Sequence, residues 1–131
     1  MYSIFALVLI VVAFIVRRYV VFVVRVNSHS MEPTLHDGEF VVARRVHDKT
    51  PIKKGDIVVV NSTELGRAII KRVAGAPGEK ITIEGQSYRA PTGHYFLLGD
   101  NTEHSSDSRK WRQPYIPKHA IDGKVLRSSS H

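Results

Sequence analysis

A chain of 131 residues with 43% apolar content has room for about one globular domain and none for a second large one. Its 19 Lys and Arg against 12 Asp and Glu leave a net charge of +7, which suits an anionic neighbour, either nucleic acid or phospholipid headgroups. There is no zinc-finger spacing, RNA-binding aromatic motif or basic helix with heptads, so no nucleic-acid partner is expected; the lack of cysteine removes disulfides, thiolate metal ligands and a cysteine nucleophile together.

Residues 4–16 (IFALVLIVVAFIV) form an uninterrupted apolar run closed by Arg17 and Arg18. A helix over that run spans about 20 Å against a hydrocarbon core of about 30 Å. Residues 1–3 and snorkelling of the two arginines extend its reach. Residues 1–18 therefore read as a short single-pass transmembrane anchor that holds the chain at membrane phospholipid. A cleaved signal peptide would need a basic n-region and a small-x-small site, neither of which is present. A buried core helix is the other alternative. Arginines directly after the span favour a cytoplasmic location for that end.

Behind the anchor, β-branched residues cluster in short blocks at 19–26, 39–46, 56–61, 67–74, 80–83, 95–99 and 123–127. Between them fall turn formers, HDG at 36–38, KGD at 54–56, APG at 76–78 and PTG at 91–93, where Gly supplies positive φ and Pro a preset one. The pattern predicts an all-β domain over residues 19–127, a small coiled antiparallel sheet or barrel. The tail at 128–131 is expected to fray.

Three segments of this domain could carry chemistry. Residues 27–35 (NSHSMEPTL) lie between two predicted strands and expose small hydroxyls. Lys71 lies within the strand AIIKRV, where alternation puts Ile69, Lys71 and Val73 on one face and Ile70 and Arg72 on the other. A lysine among apolar neighbours loses hydration of its charged form, so its pKa falls and the neutral amine becomes available as a base. Residues 99–109 (GDNTEHSSDSR) form a polar loop dense in turn formers. HDGE at 36–39 reads as a turn entering a strand, and no histidine or carboxylate cluster has metal-ligand spacing, so no metal and no cofactor is expected.

Together, SMEPTL at 30–35, IIKRVAGAPGEKI at 69–81 and the loop at 99–109 resemble the three boxes of the type I signal peptidases, Ser/Lys proteases that remove signal peptides from exported proteins. The resemblance implies Ser30 as nucleophile and Lys71 as general base, with an oxyanion hole made by the Ser30 amide and the Ser28 hydroxyl. It implies Ser105 as the hydroxyl that orients the lysine. Asp107 and Arg109 match the ion pair that pins the loop, Asp100 and Asn101 the turn that begins it, and Arg72 a structural salt bridge. Signal-peptide-bearing pre-proteins are the implied partners, bound as an extended strand and cut after a small-x-small motif. The carried-over lining is Val26, Met31, Leu35 and Ile70, with backbone partners near Ile69 to Lys71 and near Asn27 to His29. A monomer is expected, on the extracytoplasmic side of a bacterial plasma membrane in preference to the mitochondrial inner membrane.

Departures from the family pattern are His29, Thr102, Glu103 and His104. The short spacing from Lys71 to Gly99 implies the minimal core without the added β domain of larger members. His29 and His104 flank the site without an orienting carboxylate and are expected at a solvated rim. A self-cleaving repressor-type Ser/Lys protease would not explain the hydrophobic N-terminus, and a silent β domain that binds exported chains would not explain both Ser30 and Lys71.

Overall fold

The computed structural model describes residues 2–126, so the expected frayed tail lies outside the described residues. The apolar N-terminal run forms helix α1 (Tyr2–Tyr19), followed at once by β1 (Val21–Arg25). After a turn-rich segment come β2 (Phe40–Arg45), β3 (Ile57–Ser62) and β4 (Arg67–Gly75). The hairpin β5 (Lys80–Ile83) and β6 (Gln86–Arg89) precedes β7 (His94–Leu98), β8 (Tyr115–Pro117) and β9 (Ile121–Val125).

Seven strands form one sheet in the order β1-β2-β9-β3-β4-β7-β8, and every neighbouring pair is antiparallel, in agreement with the predicted fold class. β5 and β6 pair only with each other. Two strands were not expected. β6 (QSYR) has one large apolar residue, and β8 (YIP) is three residues ending in Pro, so neither presents an alternation that a sequence pattern can register.

The centre of the sheet is covered on both faces. Val58 and Val60 of β3 pack with Ile69 and Val73 of β4, Tyr95, Leu97, Trp111 and Ile121 in one cluster. Val59 and Ile70, one residue out of step, pack on the opposite side with Val26, Met31, Leu35, Val41 and Ala43. Burial on both faces explains why β3 reads as a continuous IVVV run rather than an apolar-polar alternation.

No such cover exists for α1. Phe5 is 69% exposed and Leu9 65%, so the domain does not bury this helix, which sets aside the core-helix alternative. Polar contacts hold the end of α1 and the residue after it instead: the Arg45 amide at the end of β2 donates to the Val20 carbonyl at 2.7 Å, and the His47 ring nitrogen Nε2 lies 2.9 Å from the Tyr19 carbonyl. Among the described residues no helix is long and apolar enough to cross a membrane. The transmembrane span expected at residues 1–18 is thus not shown by α1.

Leu97 is fully buried at the centre of the first cluster, in the strand that carries the 99–109 loop. Leu97→Ala should lower unfolding stability by about 2–5 kcal/mol, read from urea denaturation in mild detergent.

Candidate active site

The chain leaves β1 through a compact turn in which the Leu35 amide donates to the Met31 carbonyl and the Glu32 amide to the His29 carbonyl. Met31 and Leu35, each 1% exposed, anchor this turn in the second apolar cluster and so fix the residue before them, Ser30. Across from it, β3 and the cluster beneath hold β4, the strand that carries Lys71, in place. β7 pairs with β4 only from Arg72 to Gly75, so among the described residues no strand covers the other edge of β4 between Arg67 and Lys71.

Ser30 and Lys71 meet there, 3% and 4% exposed, with the lysine Nζ donating to the Ser30 Oγ at 2.7 Å. Burial pushes the Lys71 amine down to about 8; the Asp107 carboxylate opposes this shift and the Arg67 guanidinium adds to it. The Ser28 hydroxyl lies 3.0 Å from the Ser30 hydroxyl, and it accepts from the Ser30 amide at 3.3 Å. The two expected oxyanion donors are therefore turned towards each other. An arriving carbonyl oxygen could take the place of that contact and receive both.

Two acidic residues brace the pair from the 99–109 loop. Asp100 accepts from Arg72 Nε at 2.8 Å and Nη2 at 2.7 Å, and from the Thr34 hydroxyl at 2.6 Å. One carboxylate thus joins the strand residue next to Lys71 to the turn that carries Ser30. Burial raises the Asp100 pKa, but the Arg72 and Thr34 hydrogen bonds outweigh it and hold the carboxyl below its usual range. Arg72 also donates to the Gly55 carbonyl at 2.7 Å, so it points away from Lys71, as strand alternation requires. Asn101 supplies its amide to the Ser30 carbonyl at 2.8 Å and its side-chain Nδ2 to the His29 carbonyl at 3.0 Å.

Asp107 is fully buried and is gripped by Arg109 through Nε at 2.8 Å and Nη2 at 3.0 Å, while the Gly99 amide donates to it at 3.1 Å. Burial works against its charge, yet the guanidinium and amide bonds keep its pKa lowered. Ser105 is 2% exposed; among the described residues its Oγ has no well-formed hydrogen bond, and the carboxylate it bears on is Asp107, so the structure does not join it to Lys71. It stands against Gly99, where a Cβ would also lie 2.7 Å from the Ser30 carbonyl oxygen, so only glycine admits the close approach of this loop and the turn that carries Ser30.

A groove of about 50 Å³ runs from this pair along the open edge of β4. Val26, Met31, Ile69 and Ile70 line it, together with Asn27 and Ser28. Leu35 does not; it lies in the core beneath the turn, because its side chain completes the apolar cluster around Val59 and Ile70. His29 is 63% exposed at the side-chain level, at the solvated rim as expected, but contrary to expectation it has a carboxylate beside it, Glu32 at 3.1 Å, which also meets His36 at 3.5 Å. His104 is likewise exposed.

Sequence reasoning missed Thr34 and Gly99 as parts of this site, and Arg25 and Arg67 as lining of the groove. Thr34 lies inside the SMEPTL box and Gly99 opens the third box, so both were in view as motif letters; their contacts span 66 residues of sequence for Thr34 and could not be read from it.

The chain matches the family model described as signal peptidase, peptidase S26, over residues 1–90 and 86–128. It is 36% identical to the mitochondrial inner membrane protease subunit 1 of Mus musculus, over 83% of this chain and 69% of the relative. It is 35% identical to the mitochondrial ATP-independent inner membrane protease subunit 1b of Arabidopsis thaliana, over 86% and 72%. Signal peptidase I of Bacillus licheniformis is 29% identical over 76% of this chain and 72% of its own length. With the family model spanning almost the whole chain and bacterial and mitochondrial members aligning along it, the chain belongs to the signal peptidase family, peptidase S26, and is a peptidase of the signal peptidase I kind.

Proposed function

We propose that this peptidase removes signal peptides from exported pre-proteins after a small-x-small motif, with Ser30 as nucleophile and Lys71 as general base. The observation that carries the reading is the buried 2.7 Å hydrogen bond between Lys71 Nζ and Ser30 Oγ. Neutral Lys71 takes the Ser30 proton as Oγ attacks the carbonyl carbon of the residue before the cut. The carbonyl oxygen becomes an oxyanion, which the Ser30 amide and the Ser28 hydroxyl receive. Each such donor is worth about 3 kcal/mol of barrier where one has been removed from an oxyanion hole. Collapse of the tetrahedral adduct expels the new amino terminus, which takes the proton from Lys71, and an acyl-enzyme on Ser30 remains. Water, activated by the same lysine, releases the signal peptide with a free carboxylate and regenerates Ser30.

Specificity follows from the groove. An extended precursor segment can add as a strand along the open edge of β4, opposite residues 26–28, and the small volume there favours small side chains. Ser105, buried against Gly99 and without a bond to Lys71, is assigned the orienting of the Lys71 amine on the match to the third box alone. Asp100, Asn101, Asp107, Arg109 and Arg72 support the site without touching substrate.

Helix α1 serves as the membrane anchor, its uncovered apolar side chains seated among lipid tails and its short apolar length made up by snorkelling of Arg17 and Arg18. The peptidase domain lies on the side to which precursors are delivered, at the same surface as its substrates.

Ser30→Ala and Lys71→Ala should each abolish cleavage of a precursor while leaving the circular-dichroism spectrum of the folded chain intact; processing at the wild-type rate by either would overturn the dyad. Ser28→Ala should lower kcat by about 10²–10³-fold with little change in KM.

Cleavage under conditions where chemistry limits the rate should rise with pH through about 8, where half of Lys71 is neutral, and level off above it. The same shift has a stability consequence with a definite sign. Lys71 binds its proton less tightly folded than unfolded, so stability rises with pH between about 8 and the ordinary lysine value of 10.5, and the full penalty is present below 8. Lys71→Met should therefore stabilise the fold at pH 7, by up to about 3 kcal/mol, with the gain gone above pH 11 in denaturant titrations (roughly 1.4 kcal/mol per pKa unit).

A further inference from the structure

The residues lining the groove include three cations, Arg25, Arg67 and Lys71, and no carboxylate. Lys71 is spoken for by Ser30. Arg25 and Arg67 are exposed, and among the described residues neither makes an ion pair or a side-chain hydrogen bond. Arg72 and Arg109, by contrast, are each held by an aspartate, so the site does not lack carboxylates in general; they are absent from the groove.

The placement of the two free arginines follows the strands. Arg67 is four residues before Lys71 in β4 and on the same face, about 13 Å along the edge at the usual rise of a strand. Arg25 ends β1 on the opposite wall, five residues before Ser30. Arg25 and Arg67 line the same groove as Ser30 and Lys71. An extended precursor laid along the β4 edge with its cut bond at Ser30 brings its residues upstream of the cut to Arg25 and Arg67.

We propose that Arg25 and Arg67 form a subsite for a carboxylate side chain of the precursor, so that an acidic residue about four positions before the acylated one is favoured and a basic one disfavoured. The inference rests on the reading of the groove as the precursor's binding cleft. The guanidiniums offer forked donors that match a carboxylate, and the approach of a second cation to two unpaired ones is repulsive. The subsite also keeps a long-range positive field near Lys71, since Arg67 is one of the charges that depress its proton affinity.

The test uses the purified full chain in neutral detergent and three precursor peptides that differ only in carrying Asp, Ser or Lys at the fourth position before the acylated residue. The wild-type kcat/KM for Asp should exceed that for Lys by about fivefold, and the ratio should shrink towards one at about 0.5 M salt. Arg67→Glu should invert the ratio, and Arg25→Glu should reduce it. Reading the ratio within one enzyme cancels the effect of Arg67 on the base itself. Arg67→Gln, which removes charge without reversing it, should bring the ratio near one. If the wild type cuts the Ser peptide but treats all three alike, or if the glutamate variants keep the wild-type ratio, the subsite is wrong while the peptidase reading stands. If the folded protein cuts none of the three, that reading fails and the subsite with it. A charge preference that emerges only on adding anionic phospholipid vesicles would overturn the subsite in favour of a headgroup-binding site.

Discussion

A lysine amine kept out of water beside a serine hydroxyl is the constraint around which the domain is arranged. Removing an ammonium from water is costly, and the fold meets that cost by letting the amine give up its proton near pH 8 instead of pairing it with a carboxylate. Asp107, whose charge pulls the Lys71 pKa upward against the effect of burial, is itself paired with Arg109, and Asp100 is paired with Arg72. Each aspartate spends its charge on an arginine, and the lysine is left with Ser30 as its hydrogen-bond partner.

Those same ion pairs make the site mechanically continuous. Asp100 reaches Thr34 on the turn that carries Ser30 and Arg72 on the strand that carries Lys71, so a shift of either would strain a shared carboxylate. Asn101 holds the Ser30 carbonyl from the same loop, and the lack of a side chain at Gly99 lets that loop approach. Arg109 extends the network to Glu84 in the β5–β6 hairpin at 3.2 Å, so the small second sheet also braces the loop. The two-sided apolar packing of β3 and β4 supplies the rigid platform beneath, without which positions a few ångströms apart could not be kept.

The sheet leaves one edge open where chemistry needs it. β7 turns away from β4 after Arg72, and the freed segment from Lys71 back to Arg67 faces the end of β1. Unpaired edges invite strand addition, which most folds suppress. Here the open segment lines a narrow groove whose walls are apolar but for Arg25, Arg67 and the polar groups around Ser30 and Lys71. The helix before β1 remains uncovered by the domain among the described residues, with Phe5, Leu9 and their apolar neighbours exposed.

Much of this was legible in the chain itself, for physical reasons. β-branched runs punctuated by Gly and Pro specify strands because backbone sterics are local, and alternation within AIIKRV put Lys71 on the face of Ile69 and Val73 and sent Arg72 to the other. The motif residues Ser28, Ser30, Lys71, Asp100, Asn101, Asp107 and Arg109 were recognisable as a set because three boxes keep their order and content. Tertiary structure alone decided which of them touch. That Asp100 bonds both Arg72 and Thr34, that Ser105 lies buried without a bond to Lys71, that Leu35 belongs to the core and that Arg25 and Arg67 share a groove depend on strands brought together across dozens of residues. Sequence separation carries no information about such distances, because it is the register of β4 against β3 and the place where β7 departs that set them.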